Sequence, residues 1–274
     1  SDMIKFCFMW ENAGWAWAKQ MSLEQFKTYL WDYWVDWYFT DPRYLVVDNK
    51  PVLHIYKPEN FVKTMGGETE AKACIEFLRE DIKNYGFDGI IVLFQDSSYK
   101  IDNIRSHDAL GADGVMTYAW GADSYAPTFY TEKYKPALQT LKTLKTDMYI
   151  VPTVGMGRNI LGWNNVRTPT SSIEEHTEMM TYLAEVTKTQ NVPGNMIYFG
   201  TWNEFGEGHF FSPSAKEGFG YLNAIRDVFT SSGEKTNEET PSADSIARME
   251  VLYPNGRGAL KLLDDKAYSE SDIA

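Results

Sequence analysis

Residues 196–211 read MIYFGTWNEFGEGHFF. The apolar run Met196–Trp202 passes without a break into a polar segment holding two glutamates, Glu204 and Glu207. A short run rich in Ile, Tyr and Phe reads as a strand buried on both faces, as in a parallel sheet. Five earlier runs share this build. Ile4–Trp10 leads into ENAGWAW, Pro51–Tyr56 into KPEN, Gly89–Gln95 into DSSY, Gly114–Trp120 into GADSY and Met148–Gly155 into MGRNILGWNNVR. The segments entering the strands (DNK, GFD, GAD, KTD, PGN) are plainer and read as tight αβ turns.

That asymmetry decides the fold. An open α/β sheet gathers its special residues at one switch point, whereas a barrel builds its site from the carboxyl ends of many strands. Six strands with decorated exits favour an α/β chain of the (β/α)8 TIM type over a doubly wound sheet. The connecting helices are expected at Ser22–Phe39, Glu68–Tyr85, 102–110, Glu132–Lys145, Ser172–Gln190 and Pro213–Thr230. Ser22 and Gln25 stand at capping-box spacing, and Gly86 stops the second helix. Tyr221, Leu222, Ile225 and Val228 form the apolar stripe of the last. From Ser231 the run SSGEKTNEETPSAD is polar and rich in breakers. Residues 1–231 therefore read as one barrel domain, and 232–274 as a linker and tail packing on it. No repeat of solenoid period is present.

The 274 residues are 43% hydrophobic, enough for one large core. Nine Trp and 17 Tyr suggest a heavy core or a ring-lined cleft of the kind that stacks on sugar C–H faces. The net charge of −12 argues against nucleic acid and against anionic membrane surfaces. A neutral substrate fits best. No apolar run reaches 18 residues, so no membrane span is expected. The chain opens SDMIKFCFMW with no leader, and Ser1-Asp2 read as foreign to a native terminus. Cys7 and Cys74 are too few for a disulfide framework or a metal site and read as two buried free thiols.

Glu-x-x-Glu is commonplace at solvated helix starts, where carboxylates favour the helix dipole. Here the pair follows a strand, between Trp202-Asn203 and Gly208-His209. Paired carboxylates carry out glycoside chemistry, one donating a proton to the leaving oxygen while the other acts as base or nucleophile. They need unequal pKa values, which a partly desolvated, ring-lined pocket imposes.

NEFGEG resembles the asparagine–glutamate–aromatic–x–glutamate–glycine motif of glycoside hydrolase family 99 and the related WbsX-type domains. ADGVMTYAWGADSY is similar to the family 99 strand and loop that carry a substrate-contacting tyrosine. VPTVGMGRNILGWNNVR resembles its Pro-x-Val-Gly segment with the following Trp-Asn and Asn-x-Arg. DPRYLVVDNKPVLHIYKP is similar to the Asp-Pro-Arg-Tyr segment of WbsX-like domains. The resemblance implies a (β/α)8 barrel in which Ile4–Trp10 is the third strand, so that the first two βα units are absent from this chain, supplied upstream or replaced. It implies a retaining, substrate-assisted mechanism with Glu204 as base toward the sugar 2-hydroxyl, Glu207 as acid/base and Tyr118 assisting. Trp10, Trp163 and Arg167 would shape the cleft, and Tyr56, Trp120, Trp202 and Asn203 would touch substrate. The family usually has tryptophan where this chain has Phe205, and often an acidic residue where Ser212 precedes Pro213.

Other residues carry two readings. His209 orients a carboxylate or serves a loop hydrogen bond. His54 points into the barrel mouth or is a satisfied core histidine. Glu11 and Asn12 follow a strand and are candidate sugar hydrogen-bonders. Trp15 and Trp17 form a stacking platform or pack between helices, while Trp31, Trp34 and Trp37 recur at helical spacing and read as core. Asp96 binds sugar hydroxyls or caps a turn. GMGR and GADG lack phosphate-loop spacing.

The expected function is hydrolysis of α-linked, mannose-containing oligo- or polysaccharides without a cofactor. The rivals are a WbsX-like polysaccharide-biosynthesis (glycosyltransferase-like) domain and a non-catalytic glycan-binding barrel. A hydrolase of this kind would be exported, a biosynthetic domain cytoplasmic.

Overall fold

A computed structural model describes residues 5–14, 20–98, 100–118, 136, 139, 144–157, 170–190, 192–214 and 216–230. Among the described residues the strands are β1 Met9–Trp10, β2 Val46–Val47, β3 Lys50–Ile55, β4 Ile91–Gln95, β5 Gly114–Met116, β6 Tyr149–Ile150, β7 Thr153–Gly155 and β8 Tyr198–Gly200. Strands β1, β3, β4, β5 and β6 pair in parallel in that order, and β7 pairs in parallel with β8. The 149–155 run joins the two sheets: Val151 N–H donates to Val115 O on one side, and Tyr198 N–H to Pro152 O on the other. The result is six consecutive staves of a partial (β/α)8 barrel, matching the six apolar runs. Among the described residues no pairing joins β8 to β1.

Alternation along the strands separates two apolar layers. Val52, Ile91, Leu93, Met116 and Val151 meet inside the barrel, with Tyr198 packed on them. Leu53, Ile55, Val92, Phe94, Val115 and Ile150 face outward and join the core beneath the helices. The period of two in these near-continuous apolar runs thus serves both faces of each stave.

The first helical stretch, α1, covers 23–39 and contains two π segments, Lys27–Trp31 and Val35–Phe39. Ser22 caps it in the expected capping box with Gln25. Helices α2 Pro58–Met65, α3 Glu68–Asp81, α4 Ile101–Leu110, α5 Ile173–Gln190 and α6 Gly220–Phe229 follow. A 3₁₀ turn, Ile82–Tyr85, extends α3 up to Gly86 in the left-handed conformation.

Several local expectations change. Helix α2 was not foreseen, although Pro58 opens it and left-handed Gly66 closes it. The DNK segment is a hairpin turn between β2 and antiparallel β3, with Asp48 and Asn49 both at positive φ. Helix α6 starts at Gly220 rather than Pro213, because Ser214 and Gly218 pair in an isolated bridge ahead of it, with Gly218 at φ 54°. Cys7 is half-buried and Cys74 buried, both free, and burial pushes their thiols up to about 11 and about 12. No described helix is long and apolar enough to cross a membrane. The Glu132–Lys145 helix falls mostly, and the 232–274 linker and tail wholly, outside the described residues.

Candidate active site

Strand β8 ends at Gly200, and the chain turns at once. Thr201 Oγ1 donates to His209 O at 2.9 Å and accepts from Glu204 N–H at 3.2 Å, so one hydroxyl ties both ends of the loop. His209 N–H returns to Glu204 O, and the two residues form an isolated bridge. A 3₁₀ turn, Phe205–Glu207, lies between them and closes on Gly208 at φ 64°, a conformation glycine adopts at little cost. Backbone hydrogen bonds therefore fix both glutamates at the carboxyl end of the last stave.

The Tyr118 hydroxyl donates to Glu204 Oε2 at 3.0 Å. Burial, the hydrogen bond to Glu204 and the charges of Glu204 and Glu207 push this phenol up to about 12. It therefore stays a protonated donor at neutral pH. Glu207 Oε2 lies 3.2 Å from His209 Nε2, and the His209 side chain is only 2% exposed. The His209 ring also meets Tyr118 edge to face at 6.2 Å, linking the two glutamate arms. Tyr56, from the exit of β3, packs edge to face on Tyr118 at 5.9 Å.

Close packing holds this layer. A Cβ on Gly200 would come within 2.6 Å of Tyr118 O. Two threonines tie adjacent strand ends: Thr153 Oγ1 donates to Thr117 O at 2.7 Å, and Thr117 Oγ1 to Asp96 O at 2.8 Å. Neither threonine, nor Thr201, was singled out from the sequence; their position at the strand exits was the available signal. Trp202 is 57% and Phe205 62% exposed, which leaves aromatic surface open beside the glutamates. The Phe205 ring rests on Phe210 at 4.9 Å. Asn203 is also exposed.

Other expected site residues sit elsewhere. Trp10 points outward into the core against Phe26, Trp34 and Phe61, so it is a packing residue and not a cleft wall. Asn12 is fully buried: its amide donates to Lys57 O and accepts from Lys57 N–H, clamping the exits of β1 and β3, which leaves it no sugar-facing role. Glu11 is exposed and accepts from Ala13 N–H.

His54 lies inside the barrel one layer below Tyr56. It is 2% exposed, packs edge to face on Tyr198 at 5.2 Å, and its Nδ1 is 3.4 Å from Phe8 O. Burial pushes it down to about 4, partly offset by the Phe8 carbonyl, so it is a neutral core histidine at pH 7. Asp96 accepts from Ser98 N–H and Oγ and meets His107 Nε2 at 3.2 Å, and so caps the turn after β4. Burial raises its pKa, but the bonds from His107 and Ser98 outweigh burial and lower it overall.

Trp31 and Trp34 are core, as expected, but Trp37 is 67% exposed. Steps of three residues lag a helical turn, so six residues carry Trp37 well away from the face of Trp31. Trp15, Trp17, Trp120, Trp163 and Arg167 lie outside the described residues. Among the described residues no cluster of His, Cys, Asp and Glu fits a metal ion.

A family model described as "Glycosyltransferase WbsX" matches residues 1–167, which stops short of the glutamate loop. No curated protein matches. Among solved structures, the chain is similar to the GH99 endo-α-mannosidase from Bacteroides thetaiotaomicron. In one structure the identity is 20%, with 72% of this chain and 58% of the other covered and a TM-score of 0.47. In a second, in complex with BIS-TRIS-propane, the identity is 20%, with 82% and 68% covered and a TM-score of 0.54. The chain thus spans between half and seven-tenths of the enzyme it matches, and the second likeness supports the barrel fold.

Proposed function

The chain belongs to the family described as glycosyltransferase WbsX, and from the geometry of its glutamate loop we propose that it is a glycosidase acting on α-linked, mannose-containing glycans through Glu204 and Glu207. The observation that carries this reading is the loop after β8. It fixes two carboxylates at a barrel mouth, gives one of them to a tyrosine donor and the other to a histidine, and leaves Trp202 and Phe205 open beside them. The likeness to an endo-α-mannosidase supports the barrel frame in which such a pair works.

In this reading Glu204 takes the proton of the substrate 2-hydroxyl. That oxygen attacks C1, and the C1–O bond to the leaving group breaks as Glu207 hands its proton to the departing oxygen. Glu207, now a carboxylate, takes a proton from a water that attacks C1. The 1,2-anhydro ring opens and its O2 recovers the proton held by Glu204. Two inversions retain the anomeric configuration. Tyr118 keeps Glu204 in the acceptor role that a base needs.

The family description favours a second reading, transfer of a sugar to another sugar hydroxyl. The test is to incubate wild type, Glu204→Gln and Glu207→Gln with α-mannan oligosaccharides, and in parallel with nucleotide-activated mannose plus an acceptor glycan. Shorter oligosaccharides from wild type alone support hydrolysis. Elongated acceptor supports transfer, and binding without turnover in all three proteins overturns both.

A further inference from the structure

Helices α2 and α4 and the exits of β3 and β4 enclose a cavity of about 560 Å³, within the roughly 300–1,000 Å³ usual for small-molecule sites. Both strands are paired on each side, β3 with β1 and β4, and β4 with β3 and β5. The cavity therefore lies away from the edges at β1 and β8. Its α4 side is held by hydrogen bonds. Ser98 Oγ donates to Asp96 Oδ1 at 2.7 Å and accepts from Asn103 Nδ2 at 2.9 Å. His107 Nε2 lies 3.2 Å from Asp96 Oδ2. His107 lines the cavity and is only 8% exposed, and its Nδ1 has no hydrogen-bond partner among the described residues. A buried polar atom left unpaired costs about 1–3 kcal/mol. A hydroxyl, which both donates and accepts, can serve that nitrogen in either protonation state.

The α2 side carries Lys57, half-buried, and Lys63, and neither pairs with a carboxylate among the described residues although the chain has a net charge of −12. Glu59 and Glu68 line the same cavity, so the two cations face two anions and a polyanion would be repelled. Gln95, Ser97 and Ser106 add neutral donors and acceptors, while Pro58, Val62 and Leu110 supply a small apolar patch. An apolar ligand would strand the polar wall. A neutral ring rich in hydroxyls, with one apolar C–H face, suits both. None of the described lining residues is aromatic, so the ring would be held by its hydroxyls rather than by stacking.

We infer that this cavity is a sugar-binding pocket for the end of a neutral glycan, beside the glutamate loop but separate from it. The two share a wall. Lys57 Nζ lies 5.1 Å from the centroid of the Tyr56 ring, Tyr56 packs on Tyr118, and Tyr118 donates to Glu204. A glycan cleaved at the glutamates would reach the pocket across Tyr56, and a sugar remote from the scissile bond would then help to position it. That the occupant belongs to the cleaved chain rests on the proposed function, whereas the pocket's fit to a sugar rests on its own lining.

The chain has four histidines, so proton–nitrogen correlation spectra of the imidazole rings read the pocket through His107 and the mouth through His209, with buried His176 as a control. The full chain, carrying Glu204→Gln and Glu207→Gln so that nothing is degraded, is titrated with mannose, glucose, galactose and an α-mannan oligosaccharide. A saturable shift of His107 is expected with at least one of them. The apparent Kd should rise at least tenfold in Ser106→Trp, which fills the cavity from an exposed helix position, and measurably in Lys63→Ala, another exposed site. Melting curves check that both variants fold. A His107 resonance that no saccharide moves overturns the pocket, and so does a shift that neither folded variant weakens. Tenfold tighter binding of a phosphorylated mannose than of mannose also overturns it, because the site would then be one for an oxyanion. If the oligosaccharide moves His209 alone and the unsubstituted chain cleaves it, the hydrolase reading stands and the pocket falls. If His107 moves and the unsubstituted chain cleaves nothing, the pocket stands and the hydrolase reading falls.

Discussion

Tyr118 and Glu204, 86 residues apart in sequence, are joined by a hydrogen bond of 3.0 Å between the exits of β5 and β8, the strands that flank the 149–155 stave. The phenol serves one carboxylate and leaves Glu207 to His209, so the two acids sit in different surroundings despite sharing one short loop. Removing the donor should therefore affect chemistry more than folding. Hydrogen bonds to charged groups contribute about 1.5–3 kcal/mol, so Tyr118→Phe should lower kcat on α-mannan oligosaccharides roughly 10- to 100-fold. Thermal denaturation should show a small change. Because burial and Glu204 push the Tyr118 phenol up to about 12, its ionisation should produce no alkaline fall in kcat below about pH 11. Unchanged turnover in Tyr118→Phe would remove the tyrosine from the mechanism.

His209 provides the corresponding test on the other arm. Its ring is buried, contacts Glu207 Oε2 at 3.2 Å and packs on Tyr118. His209→Ala should lower kcat at least tenfold on oligosaccharides, whose leaving group needs a proton, and much less on aryl glycosides with acidic leaving groups. His209→Gln, which keeps a hydrogen-bonding tip, should recover part of the loss. Equal losses on both substrate types would mean that His209 only fills space.

Much of this was readable in the sequence, for a physical reason. Staves covered on both faces must be apolar along their whole length, so all six appear as runs whose ends are marked by a change to polar and aromatic residues. The glutamate loop was legible because it follows such an end. Asn12 and Trp10 were misread because proximity to a strand exit does not say which way a side chain points. Asn12 turns sideways to clamp Lys57, and Trp10 alternates outward to the helices. The pairing of Tyr118 with Glu204 is a tertiary contact that periodicity does not encode, and only the family resemblance brought the two together. Helix α2, one short element between a proline and a left-handed glycine, was hidden by its own brevity.

Gly200 should prove intolerant of any side chain. A Cβ there would meet the Tyr118 carbonyl at 2.6 Å, and that carbonyl is backbone that cannot swing aside. Overpacking of this kind costs about 1–3 kcal/mol, which Gly200→Ala should show as a lower melting temperature. Because the clash pushes on the residue that holds Glu204, kcat should fall further than stability alone predicts when both are measured well below the transition. Full activity with normal stability in Gly200→Ala would mean that the two strand ends separate freely.

Acid stability should be set in part by His176 and His54. His176 is fully buried on α5 against Phe211 and Tyr221, and neither ring nitrogen has a hydrogen-bond partner among the described residues. Burial pushes it down to about 4, as it does His54. An unfolded chain binds these protons near pH 6.5 and the folded one resists until about 4, so the unfolded state holds more protons across that window. Stability should therefore be fully present above about pH 6.5 and fall progressively toward pH 4, by up to about 3 kcal/mol for each histidine. His176→Leu removes a buried polar ring that has no partner and should flatten this decline without loss at pH 7. Urea titrations at pH 4.5 and pH 7.5 should show the gap between the two shrinking in the variant. A gap as wide as that of the parent would mean that His176 takes up its proton in the folded state as readily as in the unfolded one.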